Sequence, residues 1–111
     1  MKNVSTIFIA ALCMSLSSTV LAKGNVEAGK AKAAQVCASC HGADGNQPTG
    51  PEFPTLAGQH ADYLKKALRD YKSGKRNNAI MKGFASALSP QEIDDLAAYF
   101  SSQPSALKSA R

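Results

Sequence analysis

Cys37-Ala38-Ser39-Cys40-His41 is the stretch that decides how this 111-residue chain folds. Two thiols separated by two residues can each add to a vinyl group on one edge of a haem, which forms two thioether bonds. The histidine that follows is then delivered to one face of the iron. Because C-x-x-C-H is the attachment signature of c-type haem, we expect one covalently bound haem c. Cys37 and Cys40 would attach it, and His41 would be an axial ligand of the iron.

Other uses of a cysteine pair fit the sequence less well. A thioredoxin-like redox pair is typical of a βαβ context, and no stretch of this chain shows sustained strand alternation. A structural zinc site needs four ligands, and beyond residue 22 only His60 joins the motif residues, at a spacing unlike that of known zinc fingers. Any pair of cysteines in an exported protein could form a disulfide, but the histidine next to Cys40 favours haem attachment.

The first 22 residues, MKNVSTIFIAALCMSLSSTVLA, have the features of a secretory signal peptide. Lys2 gives a charged start, Ile7 to Leu16 give an apolar centre, and Val20-Leu21-Ala22 precedes the expected cleavage site. A transmembrane anchor is the alternative, but the apolar run is shorter than the roughly 20 residues that span a bilayer. The sequence therefore predicts export to the periplasm, with no stable membrane span after cleavage.

A lipid anchor at Cys13 is disfavoured, because Leu12 stands where a small residue is wanted. Residues 1–22 are thus expected to be a signal peptide and residues 23–111 a single domain.

A domain of this size buries a limited core and often depends on a metal, a disulfide or a cofactor. Tryptophan is absent, and four Phe and three Tyr are the aromatic residues. A haem would supply the missing apolar bulk.

Three segments have the spacing of apolar residues that is typical of helices, which predicts an all-α fold. The first covers about Val26 to Cys37, after a capping Asn25, and the second about Ala61 to Ser73, before Gly74. The third begins at Ser89-Pro90-Gln91-Glu92, with a capping hydroxyl, a proline and a glutamate in their preferred places. Between the first two lies a loop rich in Gly and Pro, residues 42–59, long enough to wrap a cofactor.

An iron that carries electrons needs a sixth ligand, and Met81 is the one methionine outside the predicted signal peptide. A thioether opposite a histidine raises the haem potential, as in electron-transfer cytochromes. The alternative is that Met81 fills a gap in the core, but residues 77–84 read as a loop and not as an apolar helix face. His60 is the rival ligand, at the start of the second helix, where a surface histidine is ordinary.

The sequence resembles the class I c-type cytochromes, in particular the small bacterial periplasmic members and the halves of dihaem ones. The likeness covers residues 24–103. It rests on C-A-S-C-H-G at 37–42, F-P-T-L-A-G-Q at 53–59, Met81, and L-S-P-Q-E-I-D-D-L-A-A-Y-F at 88–100. The resemblance implies the class I cytochrome c fold over 23–111, with helices wrapped around one covalently bound haem.

The resemblance also implies roles for individual residues. The carbonyl of Pro54 would accept the ring N–H of His41, which fixes the tautomer of that ligand. Leu56 would pack on the haem. The first and last helices of the family cross through a glycine and an aromatic ring, which correspond here to Gly29 and Tyr99.

Positive charge is concentrated between residues 65 and 82, where one aspartate, Asp70, opposes seven cations. These are Lys65, Lys66, Arg69, Lys72, Lys75, Arg76 and Lys82. They form either a solvated helix face or a field that attracts an acidic redox partner. A membrane oxidase or reductase of a respiratory chain would be one such partner. Nucleic acid fits an exported protein poorly.

The expected function is a soluble, monomeric electron carrier and not an enzyme. A haem peroxidase needs an open sixth position and a polar distal pocket, and Met81 would close that position. A third possibility is a subunit whose haem passes electrons inside a larger complex.

Overall fold

The computed structural model describes Ala10 and residues 23–105, and all regular structure in these residues is helical. Five helices follow in order: α1 (Val26–Val36), α2 (Ala38–His41), α3 (Ala61–Ser73), α4 (Ala79–Ser86) and α5 (Pro90–Ser102). The predicted all-α class is confirmed. The predicted signal peptide falls outside the described residues except for Ala10. In the part of the chain that is described, no helix has the length and apolar character needed to cross a membrane.

The three predicted helices are present, and α1 ends at Val36, one residue before the expected Cys37. The side chain of Asn25 accepts a hydrogen bond from the backbone N–H of Ala28 at the start of α1. Ser89 and Glu92 form a reciprocal capping box at the start of α5. Gly74 ends α3 with φ at +85°, a backbone conformation that favours glycine.

Two short helices were not predicted. The expectation of a loop at residues 77–84 is wrong, because Ala79–Ser86 forms α4 and places Met81 in its first turn. Asn78, which reads as a loop residue, caps this helix: its side chain accepts a hydrogen bond from the backbone N–H of Met81 at 3.0 Å. Of the α4 residues only Ala85 is buried. Ile80, Met81, Phe84 and Ala85 do have helical spacing, but a helix of eight residues is too short for that spacing to be distinguished from a loop.

Helices α1 and α5 cross at van der Waals contact through Gly29. A Cβ at this position would lie 2.0 Å from the carbonyl oxygen of Asp95 and 2.8 Å from the Cβ of Tyr99. The crossing that the family resemblance implies is therefore present. Asp95 is itself buried, and its Oδ1 accepts hydrogen bonds from the backbone of Asn25 at 2.7 Å and from Gln91 at 2.8 Å.

A surface ion pair joins α1 and α5 at a second point. The Nζ of Lys32 on α1 lies 2.6 Å from Oε2 of Glu92 on α5. The hydrogen bond from Lys32, together with the backbone N–H of Ser89, lowers the pKa of Glu92 to about 2. Glu92 thus caps α5 and also pairs with Lys32 of α1.

The core is built mainly on the buried face of α5. Ile93, Leu96, Ala97 and Phe100 are all buried, as the spacing predicts, and Leu64 and Leu88 pack with them. The apolar stripe of α3 behaves differently. Of its five members only Leu64 is buried, and Tyr63 is 49% exposed.

Substituting Gly29→Ala is expected to destabilise the protein by about 1–3 kcal/mol, because the added methyl group meets the backbone of α5 and cannot be relieved by a side-chain rotation. Chemical denaturation of the intact protein measures this change. Gly83→Ala is the matched control, since a Cβ at Gly83 meets no atom within 4 Å. That substitution should stabilise α4 by roughly 0.5–1 kcal/mol, and equal effects of the two would contradict the close crossing.

Candidate cofactor site

A largely apolar cavity of about 530 Å³ lies beside the core, within the range of about 300–1,000 Å³ that ligand pockets take. All five residues of the α3 stripe line it, and this explains why most of them are not buried by protein. The stripe consists of Tyr63, Leu64, Ala67, Leu68 and Tyr71. Phe53, Phe84, Leu96 and Phe100 add further apolar surface.

Cys37 and Cys40 lie at the wall of this cavity, where α1 passes into α2. The single turn of α2 follows Cys37 directly, and the backbone N–H of His41 donates to the carbonyl of Cys37 at 3.0 Å. Residues four apart share a helix face, so Cys37 and His41 meet the same cavity. Cys37 and Cys40 form no disulfide with each other. In the chain before haem attachment, burial raises the pKa of the Cys37 thiol to about 11 against the opposing effect of Lys32.

The His41 ring is buried and held in one tautomer. Its Nδ1 lies 2.9 Å from the carbonyl oxygen of Pro54. A carbonyl only accepts hydrogen bonds, so Nδ1 carries the hydrogen and donates it. The lone pair of Nε2 is then free for a metal. The Phe53 ring stands edge-on to the imidazole, with 6.1 Å between the ring centroids.

The loop that carries Pro54 is tied to the rest of the molecule by backbone hydrogen bonds. The N–H of Leu56 donates to the carbonyl of Gly45 at 2.9 Å, and the N–H of Gly58 donates to that of Phe100 at 2.9 Å. The hydroxyl of Tyr99 donates to the carbonyl of Ala43 at 2.9 Å. Leu56, half-buried against the core, is thereby held at the cavity wall.

The two candidate ligands opposite His41 lie in different environments. Met81 is half-buried and lines the cavity, whereas His60 is exposed and is not among the described residues of the cavity wall. His60 precedes α3 and makes no side-chain capping hydrogen bond to it. The structure thus brings all six predicted site residues to one cavity and leaves His60 outside. The six are Cys37, Cys40, His41, Pro54, Leu56 and Met81.

One group at the cavity was not predicted. Arg76, between α3 and α4, donates a hydrogen bond from Nη1 to the hydroxyl of Tyr63 at 3.1 Å, which raises the pKa of the arginine. Its guanidinium carbon lies 4.9 Å from the centroid of the Tyr71 ring. All three residues line the cavity. The sequence shows Arg76 within a run of charges and the tyrosines within an apolar stripe, but not their contact.

The remaining cations of residues 65–82 fall into two groups. Lys65 and Arg69 pair with Asp94 on α5, at 3.8 and 3.4 Å, and Lys66 pairs with Asp70. The Nζ of Lys72 donates to the carbonyl of Leu88. Lys75 and Lys82 are exposed and take part in none of the described ion pairs.

Known proteins share both the sequence and the fold of this chain. The family model "Cytochrome c" matches residues 26–104. Cytochrome c4 of Pseudomonas aeruginosa is 51% identical over 92 residues, which cover 83% of this chain and 45% of that protein. A thiosulfate dehydrogenase electron acceptor of Stutzerimonas stutzeri is 41% identical over 98 residues, which cover 86% of this chain and 45% of that protein.

A solved structure shows the same fold. The crystal structure of reduced recombinant cytochrome c4 from Pseudomonas stutzeri matches with a TM-score of 0.69 and 45% sequence identity. The match covers 76% of this chain and 48% of that one. The chain therefore spans about half the length of these relatives.

The chemistry of the site agrees with these matches. Two cavity-facing thiols, an imidazole with a free Nε2 and apolar walls suit a covalently attached haem, and Cys37 and Cys40 stand in the C-x-x-C-H position. The cofactor is one covalent haem c, and the predicted class I cytochrome c fold is confirmed. The chain belongs to the cytochrome c family.

Proposed function

We propose that this protein is a periplasmic one-electron carrier that exchanges electrons with other redox proteins. The observation that carries this proposal is the convergence of His41 and Met81 on one apolar cavity, beside the two cysteines of the attachment motif. A His/Met ligand pair is the pattern of electron-transfer cytochromes, whereas haem enzymes leave a coordination position open. The family membership supports the same conclusion.

Each residue of the site has a distinct task in this function. The bound haem supplies an iron that alternates between its ferric and ferrous forms. Cys37 and Cys40 anchor the cofactor covalently, and His41 offers Nε2 because Pro54 holds the hydrogen on Nδ1. Met81 offers its thioether from the first turn of α4, where Asn78 fixes the backbone. The apolar walls exclude water, so little has to rearrange when the electron arrives.

The partner proposed here is a redox protein with acidic groups around its docking surface. Lys75 and Lys82 take part in none of the described ion pairs, and a Cβ at Gly74, next to Lys75 in the chain, would lie 3.6 Å from Nζ of Lys82. Beside them Ile80 is 59% exposed and Phe84 43% exposed. We call Lys75, Ile80, Lys82 and Phe84 the α4 edge. Its charge accelerates encounter. Ile80 and Phe84 also line the cavity beside Met81, so the haem site lies next to this charged edge.

A second candidate function is that of an electron-accepting module in a dehydrogenase complex. One relative is named as the electron acceptor of thiosulfate dehydrogenase, and its partner is thus a redox enzyme. In this function the same residues carry out the same electron transfer. The difference is that the partner stays bound to the protein in a complex. Sedimentation of the purified periplasmic protein distinguishes a free monomer from a complex.

Met81→Ala should lower the reduction potential and open the iron to water or to added ligands, because the thioether that stabilises ferrous haem is lost. Slight peroxidase activity should appear. Voltammetry gives the potential, and the weak red-end absorption of oxidised Met-ligated haem reports the bond. His60→Ala is the control and should change neither. Loss of that band in His60→Ala, with Met81→Ala unaffected, would replace the ligand assignment with a pair of histidines.

The doubly substituted chain Cys37→Ala/Cys40→Ala, which cannot attach haem, should be largely unfolded. A cavity of about 530 Å³ would otherwise be left beside a small core. Circular dichroism on heating measures the transition, with the haem-loaded parent as the reference. A cooperative transition close to that of the parent would show that the polypeptide core is sufficient without the cofactor.

Neutralising the α4 edge with Lys75→Gln/Lys82→Gln should weaken binding to an acidic surface several-fold at low salt, and the effect should fade as salt is added. The probe is a gold electrode coated with a carboxylate-terminated monolayer, on which adsorbed redox-active protein is counted by voltammetry. Lys23→Gln/Lys30→Gln removes the same charge from exposed positions near or on α1. An equal loss in both variants would mean that net charge alone, and not the α4 edge, determines docking.

A further inference from the structure

The two ends of α4 are held in different ways. At the C-terminal end Ala85 and the following Leu88 are buried, and the N–H of Leu88 donates to the carbonyl of Ala85 at 3.1 Å. The Nζ of Lys72 on α3 also donates to the carbonyl of Leu88. At the N-terminal end residues 77–80 are exposed. The turn that carries Met81 is therefore the less firmly packed end of the helix.

Asn78 supplies hydrogen bonds at this less firmly packed end. Its side-chain Oδ1 accepts from the backbone N–H of Met81 at 3.0 Å, and its main-chain carbonyl accepts from the N–H of Lys82 at 2.8 Å. The first N–H groups of a helix find no acceptor inside the helix, and the N–H of Met81 is one of these. The amide that Asn78 caps is therefore the amide of the expected iron ligand itself.

We infer that Asn78 is a positioning residue for Met81, and that its cap determines how rarely the sulfur leaves the iron and admits another ligand. This inference rests on the proposed electron-carrier function, because it takes Met81 as the sixth ligand. Release of the sulfur requires the first turn of α4 to move, and the cap stabilises that turn only while it is formed. Replacing a capping Asn by Ala shifts a helix equilibrium by roughly two- to thirty-fold, so the open fraction should rise by a factor in this range.

Two other roles would fit the position of Asn78. It also lines the cavity, so its amide group could contact the haem or the sulfur directly. It could also be a cap that adds only to the stability of the whole protein. A direct contact requires the amide, and a contact to the haem acts whether or not Met81 is present. A purely structural cap lowers stability when it is removed, but leaves access to the iron unchanged.

The experiment titrates the ferric, haem-loaded protein with imidazole and follows the change in its absorption spectrum. Imidazole binds only the molecules whose sixth position is open, so its apparent affinity rises in proportion to the open fraction. Asn78→Ala should bind imidazole about threefold to tenfold more tightly than the parent. Asn78→Ser should stay within about twofold of the parent, because serine caps a helix as well as asparagine does, and Ser89 caps α5 in this way.

Asn25→Ala is the matched control. The side chain of Asn25 caps α1 in the same way, by accepting from the N–H of Ala28 at 2.9 Å, but this helix does not carry the expected sixth ligand. The substitution should lower the melting temperature and leave the affinity for imidazole within about twofold of the parent.

Met81→Ala gives the upper limit of the affinity, since the sixth position is always open once the sulfur is gone. Adding Asn78→Ala to Met81→Ala should then change the affinity by less than about twofold, because the cap has no sulfur left to hold in place. Such non-additivity is the sign that two residues act through one another. A residue that only stabilises the protein, or that contacts the haem directly, would not produce it.

Two sets of outcomes would overturn the inference while the carrier function stands. An unchanged affinity in Asn78→Ala, or an equal rise in Asn25→Ala, would make Asn78 an ordinary structural cap. An equal rise in Asn78→Ser and Asn78→Ala, or a further rise in the doubly substituted protein, would assign Asn78 a direct contact in the cavity.

Two further results keep the test decisive. If Asn78→Ala fails to bind haem, Asn78→Thr takes its place, and because threonine is a weaker cap than serine it should bind imidazole more tightly than Asn78→Ser. Equal affinities in these two variants would overturn the inference. A parent protein that binds imidazole as tightly as Met81→Ala would instead overturn the ligand assignment, and with it the proposed function.

Discussion

The hydrogen bond from Nδ1 of His41 to the carbonyl of Pro54 is the interaction on which the rest of the site depends. It joins the attachment motif at the α1–α2 junction to the loop of residues 42–59, which also contacts the motif where the N–H of Thr49 donates to the carbonyl of Cys40. It also decides which imidazole nitrogen faces the metal. The loop can deliver that carbonyl because Gly45, Leu56 and Gly58 anchor it to itself and to α5. This one contact thereby ties the His41 side chain to the loop that carries Pro54, and through that loop to α5.

The second constraint is that the polypeptide does not complete its own core. The α5 face and Leu64 are packed against protein, yet the rest of the α3 stripe faces the cavity. Burying apolar surface is the main driving force of folding, and here part of that surface is covered by the cofactor. The fold and the electron-transfer site are for this reason not separable parts of the molecule.

Much of this arrangement was predictable from sequence, for reasons that differ between residues. Cys37, Cys40 and His41 lie close together in the chain, so their spacing alone predicts the attachment of haem. The caps at Asn25 and Ser89 are local as well. The close crossing at Gly29 came from resemblance to a family, since a glycine in a helix does not reveal what approaches it.

The features that escaped prediction depend on contacts between distant residues. Helix α4 has eight residues, and its apolar positions, Ile80, Met81, Phe84 and Ala85, are too few to predict a helix without the cavity that they line. Buried Asp95 is a partner for the backbone of Asn25, seventy residues away. The clamp of Tyr63 and Tyr71 around Arg76 joins a helix face to the segment after it. None of these contacts has a local pattern.

Helix α4 has a consequence for how the site can open. A helix of eight residues is not stable by itself in water, and apart from Ala85 the apolar residues of α4, which are Ile80, Met81 and Phe84, face the cavity. Its cap at Asn78 and the thioether of Met81 lie within the same turn. The sulfur ligand and the helix should therefore form and dissolve together, as one local unfolding unit. The amide protons of α4 would then exchange with solvent through the same opening that releases the sulfur, and without unfolding of the whole protein.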